Sequence, residues 1–347
     1  MGKLLGLPMG MAPCYTLHSQ ITLEGQQMAT ELLTAAGANY YMDVCLNTDR
    51  MLAYFDTSGH DDQTLREIHG RRPAPEYLEW AIERGIFARG ADGQVTRGAN
   101  WGNLRQFRQS DEELAALAAA TPLIPGFETA GPRPADAVSR LVRLNQAVGR
   151  EAVHAELDTG ALRRIADFRV LTTQAADKDA HLGAPELGSR LCAIDRARLQ
   201  PERNQVQVLV SDGLSAGAVH HSVPTLLGVL DDAMRARGLR VGQPILVRYG
   251  RVKLAEEILH AVEADVVVCL IGERPGGDAQ AARSLSAYLV FRRTSPAGLS
   301  APPFEYSVIS NIHEAGLPAL EAGSLVAEKV FEILDLRTSS NSREAHP

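Results

Sequence analysis

The sequence predicts an α/β protein in which a helical stretch leads into a domain built on a parallel sheet, with a smaller mixed α/β segment in front. Three observations carry this expectation. Short apolar runs at 206–210, 245–247 and 266–271 alternate with helical patterns at 216–230 and 255–262, the signature of parallel strands joined by crossover helices. The run at 245–247 is followed by the charged loop Arg248, Tyr249, Gly250, Arg251, Val252 and Lys253. The run at 266–271 is followed by Gly272, Glu273, Arg274, Pro275 and Gly276. In an open parallel sheet, loops at the carboxyl ends of the strands face a common crevice where ligands bind, so both loops are expected to look at one ligand.

In chain order, the first segment (1–89) has a short β-like opening, then a helix at 24–36 with Gly37 placed to stop it. A strand is expected at 38–45, where Tyr40, Tyr41, Met42, Val44 and Cys45 supply β-compatible bulk. Helical patterns return at 63–69 and 76–83, separated by Pro73 and Pro75. Residues 90–134 are expected to be a linker and a helix. Gly90, Gly93, Gly98 and Gly102 punctuate a polar linker, Asp111 caps an Ala-rich helix to Ala120, and a Pro-rich stretch comes next. An amphipathic helix at 135–148 opens a helical region (135–204), with Val138, Leu141, Val142 and Leu144 on one stripe. The α/β domain spans 205–336, and the Ser-, Asn- and Arg-rich tail at 337–347 is expected to be disordered.

The 347 residues, 45% of them hydrophobic, suffice for two or three domains with a substantial core. The longest apolar run, 264–271, is broken by Asp265 and falls far short of the ~20 residues a membrane span needs. The opening residues show no secretory leader, since a short apolar run soon meets Pro8, Gly10 and Pro13, so the cytoplasm is the expected location. Four cysteines without CxxC spacing indicate neither a zinc site nor a disulfide framework; reduced, mostly buried thiols are expected. A net charge of −7 and a pI near 5.8 argue against a general nucleic-acid binder, since phosphate neutralisation needs clustered Lys and Arg. The adjacent His220 and His221 would point in different directions on a helix, which suits surface or interface histidines better than a metal chelate.

Ser211, Asp212 and Gly213 come directly after the first strand of the sheet and admit two readings, capping of the next helix or contact with a ligand. No GxGxxG follows any strand and no GxxxxGK[ST] is present, and Ser215 in DGLSAG lacks the first glycine of a nucleophile elbow. Nicotinamide enzyme, kinase and hydrolase are thereby left without support. A pocket remains, built from Val252, Glu273 and backbone, with Arg248, Arg251 and Arg274 nearby. The arginines and Glu273 satisfying one another is the alternative, because buried charges are costly unless paired.

Five blocks carry a more specific pattern: SDGLSA at 211–216, VRYGRVKLAEEI at 247–258, IGERPG at 271–276, SLSAY at 284–288 and ISNI at 309–312. In this order they resemble the small subunit of ethanolamine ammonia-lyase. The resemblance implies an adenosylcobalamin-dependent lyase that converts ethanolamine to acetaldehyde and ammonia by radical chemistry. It implies a helical part followed by a Rossmann-like α/β domain, a hetero-oligomer with a large subunit, and a place in the cytoplasm or a bacterial microcompartment. Carried over by motif, the cobalamin contacts are Val252, Glu273 and Val308. Val308 departs from the cysteine usual in the family, and residues are inserted between Gly276 and Ser284.

The first segment holds a second resemblance. KLLGLPMGMAPCYTLH at 3–18, DRMLAYFDTSGHD at 49–61 and RRPAPEYLEW at 71–80 are similar to the carboxyl-terminal end of the large subunit, a TIM barrel. Only the last barrel strand and the segment after it are represented, and one strand cannot close a barrel. Met51 stands where that subunit touches cobalamin, with the filling of a core gap as its other reading. Ala12 replaces an aspartate assigned to substrate binding, a loss in the range of ~2–5 kcal/mol for a buried charge pair. Thr129 and Ser189 replace arginines suited to interface pairing. The expectation is a small subunit forming one wall of the cobalamin site, with no catalytic or metal-ligating residue of its own and a separate large subunit holding ethanolamine. The alternative is a catalytically inactive cobalamin-binding remnant.

Overall fold

The computed structural model describes residues 2–16, 19–44, 47–49, 54–107, 110–120, 129–130, 133–275, 283–292 and 303–344. The chain divides into two compact units, Met1–Ala147 and Val148–Pro347, the division falling inside the helix Asp136–His154.

In the first unit, the helix Leu23–Ala36 starts at Thr22, whose hydroxyl accepts from Gly25 N, and stops at Gly37 in the left-handed region at φ 117°. It joins two short strands, Gly10–Met11 and Tyr40–Tyr41, which pair in parallel. The strand expected over 38–45 is thus only two residues long among the described residues, and Cys45 lies outside them. Ser58 and Asp61 form a reciprocal capping box at the start of Gly59–His69. The next helix, Pro75–Glu83, begins on a proline, where the missing N–H costs nothing.

The glycine-rich stretch expected as a linker instead contains a hairpin, Phe87–Arg89 with Val95–Arg97. Gly93 sits at φ 77° between the strands, so the glycines serve a turn rather than a flexible tether. Phe87 and Val95 are buried with Leu78 and Ala81 in a small core. The helix Asp111–Ala120 is capped by the Ser110 hydroxyl, which accepts from Glu113 N at 3.2 Å, rather than by Asp111.

The second unit is organised by a six-stranded sheet. Its strands are β1 (Arg169–Thr172), β2 (Val206–Ser211), β3 (Ile245–Arg248), β4 (Val266–Gly272), β5 (Leu285–Arg292) and β6 (Phe304–Ile312), in the order β1-β3-β2-β4-β5-β6. The first four run parallel, whereas β4–β5 and β5–β6 are antiparallel. The sheet is therefore mixed, not wholly parallel as expected. Burial explains why the sequence does not announce the outer strand: β2 and β4 are buried along their whole length, while β6 alternates between half-buried and exposed positions. Continuous apolar runs mark the former, and Phe-Glu-Tyr-Ser-Val-Ile-Ser hides the latter.

Helices α1 (Ala216–Ala236) and α3 (Ala319–Glu344) pack on one face against Val206, Val208, Val210, Val268 and Leu270. Helix α2 (Leu254–Val262) packs on the other against Leu209, Val267, Cys269 and Ile271. The period of two along each strand sends alternate residues to the two layers. Helix α3 runs to Glu344, into the tail expected to be disordered.

Candidate functional site

Ser211 pairs with Val247 and with Ile271 in the ladders, so β2, β3 and β4 end at one level and release their loops at the same edge. Ser211 and Asp212 tie these loops together. Asp212 Oδ1 accepts from Tyr249 N at 2.6 Å, Ser211 Oγ accepts from Gly250 N at 2.9 Å, and the Gly272 carbonyl accepts from Leu214 N at 2.9 Å. A side chain on Gly272 would overlap the carbonyls of Ser215 and Asp212, so the close approach of the loops requires glycine there. The capping reading of Ser211 and Asp212 is displaced: the helix that comes next is capped by Ser215, which accepts from Ala218 N at 3.1 Å.

A segment containing Lys178, His181 and Gly188 lies over this knot. Lys178 Nζ is 3.1 Å from Asp212 Oδ2, with side chains 7% and 0% exposed, a buried pair whose separation would leave an uncompensated charge. His181 Nε2 lies 2.9 Å from the Gly213 carbonyl. Burial, then the nearby positive charge of Arg251, pushes His181 down to about 4, so the ring is neutral at pH 7 and donates Nε2–H to that carbonyl. Arg251 closes the network by donating to the His181 carbonyl at 2.8 Å. Tyr249 holds a left-handed φ of 61°, a backbone state retained where surrounding bonds over-determine it. Here its N–H is fixed by Asp212, and its hydroxyl donates to Glu156 Oε2 at 2.8 Å and accepts from Arg248 at 2.9 Å.

Of the residues expected at a ligand, Glu273 lies just past β4, and its Oε1 accepts from the Tyr288 hydroxyl at 2.8 Å. Tyr288 stands opposite Val308 in the β5–β6 ladder, and cross-strand partners share a face. Val308 is 47% exposed. Val252, in the turn before α2, packs against the same cluster as Tyr288 on the α2 face. Tyr306, two residues from Val308, hydrogen-bonds Glu256 of α2. The three positions are thus gathered on one face of the sheet, with Tyr288 as the link that sequence reasoning missed. Met51 lies outside the described residues.

Two of the three arginines have partners other than Glu273: Arg248 bonds Glu156 and Arg251 bonds a backbone carbonyl. His220 accepts from Asp158 N and His221 pairs with Glu314, each with its own partner. Among the described residues no cluster of three metal-ligating side chains occurs. Cys269 is buried and its thiol is pushed up to about 12 by burial, then by Glu273, whereas Cys14 is exposed. Ala12 is exposed, and the Ser189 hydroxyl donates to the Pro185 carbonyl at 3.2 Å. Among the described residues no helix is long and apolar enough to cross a membrane.

Residues 111–342 match the family described as Ethanolamine ammonia-lyase light chain (EutC), and residues 1–97 match Ethanolamine ammonia lyase large subunit (EutB). The ethanolamine ammonia-lyase small subunit of Clostridium tetani is 32% identical over 233 residues, 67% of this chain and 77% of that protein. The small subunits of Clostridium perfringens and Fusobacterium nucleatum are 31% and 32% identical, each over 231 residues, 66% of this chain and 76% of theirs. The chain belongs to the ethanolamine ammonia-lyase small-subunit family, and a segment matching part of the large subunit precedes that region in the same polypeptide.

Proposed function

We propose that this chain forms one wall of an adenosylcobalamin site in an ethanolamine ammonia-lyase and docks with a separate large subunit that holds ethanolamine. The observation that carries the reading is the gathering of Val252, Glu273 and Val308 on the α2 face through Tyr288. Their chemistry fits a large amide-fringed ring: two partly exposed valines offer apolar contact, and a carboxylate held by Tyr288 can accept from an amide N–H. When bound, adenosylcobalamin supplies the radical that initiates loss of ammonia. This chain's residues bind, orient and exclude water, and none acts on the substrate. The parallel strands β1–β4 with helices on both faces support a Rossmann-like reading of the domain, and the cytoplasm is its proposed location.

Ala12 favours a second reading, a cobalamin-binding remnant, because a methyl group cannot pair with a substrate ammonium. Reconstitution with a large subunit separates the two. Cobalamin retention with ammonia release supports the lyase, retention without ammonia release supports the remnant, and neither in any combination sinks both.

A further inference from the structure

The first unit holds a cavity of about 570 Å³ lined by aromatic rings together with Asp43, Asp62, His60 and Arg66. Trp80 stacks on Tyr77 at 5.7 Å and on Phe107 at 6.1 Å between ring centroids, and Trp101 stacks on Phe87 at 5.6 Å. Tyr77, Trp80 and Phe107 are 45%, 37% and 52% exposed, three large rings left side by side at the cavity. A contiguous exposed aromatic surface of this kind marks a place where something binds.

Asp43, Asp62 and Arg66 are the charged residues among the cavity's lining. Asp62 is paired with Arg66 at 3.3 Å, whereas Asp43 has no ion pair among the described residues. Asp43 is exposed to solvent and lines the same cavity as the Asp62 carboxylate, so a positive group arriving beside it would be favoured. Of the nearby arginines, Arg66 is paired with Asp62 and Arg97 with Glu67 at 2.8 Å, and the guanidinium groups of Arg84 and Arg97 lie over the Trp80 and Trp101 rings at 5.0 and 5.1 Å.

One wall comes from Asn100, Trp101, Asn103, Leu104 and Phe107. These residues fall between the spans matching the large subunit (1–97) and the light chain (111–342). The cavity is therefore completed by the junction of the two segments, and its occupancy does not depend on the lyase reading.

We propose that this cavity is a binding site for a planar aromatic cation, its ring held between the aromatic walls and its protonated nitrogen directed to Asp43. Stacking and cation–π attraction at the exposed Tyr77 and Phe107 rings hold the ligand, and a charge-assisted hydrogen bond sets its orientation.

The chain has two tryptophans, and both line the cavity, so intrinsic tryptophan emission reports this site. Titration of the full chain with benzamidine should change that emission saturably, and titration with benzoate, equally flat but anionic, should not. Asp43→Asn should weaken benzamidine about tenfold or more, the loss expected for a charge-assisted hydrogen bond. Phe107→Ala, at an exposed position, should weaken it as well. The proposal is overturned if benzamidine gives no saturable change, if benzoate matches it, or if a folded Asp43→Asn chain binds it unchanged. Should Asp43→Asn fail to fold, the contrast between the two probes on the unaltered chain decides.

Discussion

The Tyr288 hydroxyl lies 2.8 Å from Glu273 Oε1, joining strand β5 to the loop after β4. Burial, and then the Glu273 charge, raises the Tyr288 pKa above the ordinary tyrosine value, so the hydroxyl stays protonated and donates. Tyr288→Phe keeps the ring and removes the donor. It should cost about 1 kcal/mol of stability, the net value of one hydrogen bond, measured by urea denaturation, and should reduce cobalamin retention by the complex with a large subunit. Unchanged retention would mean that the position of Glu273 is irrelevant to the cofactor.

The buried Lys178–Asp212 pair predicts an asymmetry. Lys178→Met leaves the Asp212 charge buried without its cation and should destabilise the second unit by about 3–5 kcal/mol. Adding Asp212→Asn removes the stranded charge, so the double variant should regain part of that loss. Additive single effects in a double-mutant cycle would contradict the pairing.

His181 sets a pH response. Its folded value is held down to about 4 from 6.5, so the unfolded chain takes up the proton first on acidification. This contribution should leave stability unaffected above pH 6.5, destabilise progressively as pH falls from 6.5, and level off below about 4. His181→Gln retains an amide donor for the Gly213 carbonyl and removes the titration, so its urea midpoint should vary less over that window. Parallel pH profiles for the two chains would assign the acid sensitivity to other groups.

Gly272 tests the close approach of the loops. An added methyl would meet the backbone carbonyls of Ser215 and Asp212, which cannot rotate aside. Gly272→Ala should therefore cost about 1–3 kcal/mol, the usual range for overpacking, whereas Gly228→Ala, with open space around the position, should not be destabilised by any clash. Equal melting temperatures for Gly272→Ala and the unaltered chain would contradict the packing.

The strands of the sheet legible in the sequence, β2, β3 and β4, are continuous apolar runs lying between helical patterns, an arrangement with few other solutions. Strands β1 and β6 are not, since each exposes alternate residues and looks like polar loop in a one-dimensional reading. The hairpin at Gly93 is obscured for a related reason: glycines mark turns and tethers alike, and only the burial of Phe87 and Val95 distinguishes them. Of the candidate contacts, Val252, Glu273 and Val308 come from motif blocks. The bonds of Lys178, His181 and Tyr288 are not legible, because their partners lie 34, 32 and 15 positions away and no local pattern announces such pairings.

The most direct test of the proposed cobalamin wall is an equilibrium titration of cobalamin against a large subunit, with and without this chain, repeated with Val308→Asp. Val308 is 47% exposed, so the substitution should leave the fold intact. The account predicts that adding the chain tightens cobalamin binding and that Val308→Asp loses at least part of that gain. Equal binding with and without the chain, or a Val308→Asp chain indistinguishable from the unaltered one, would contradict it.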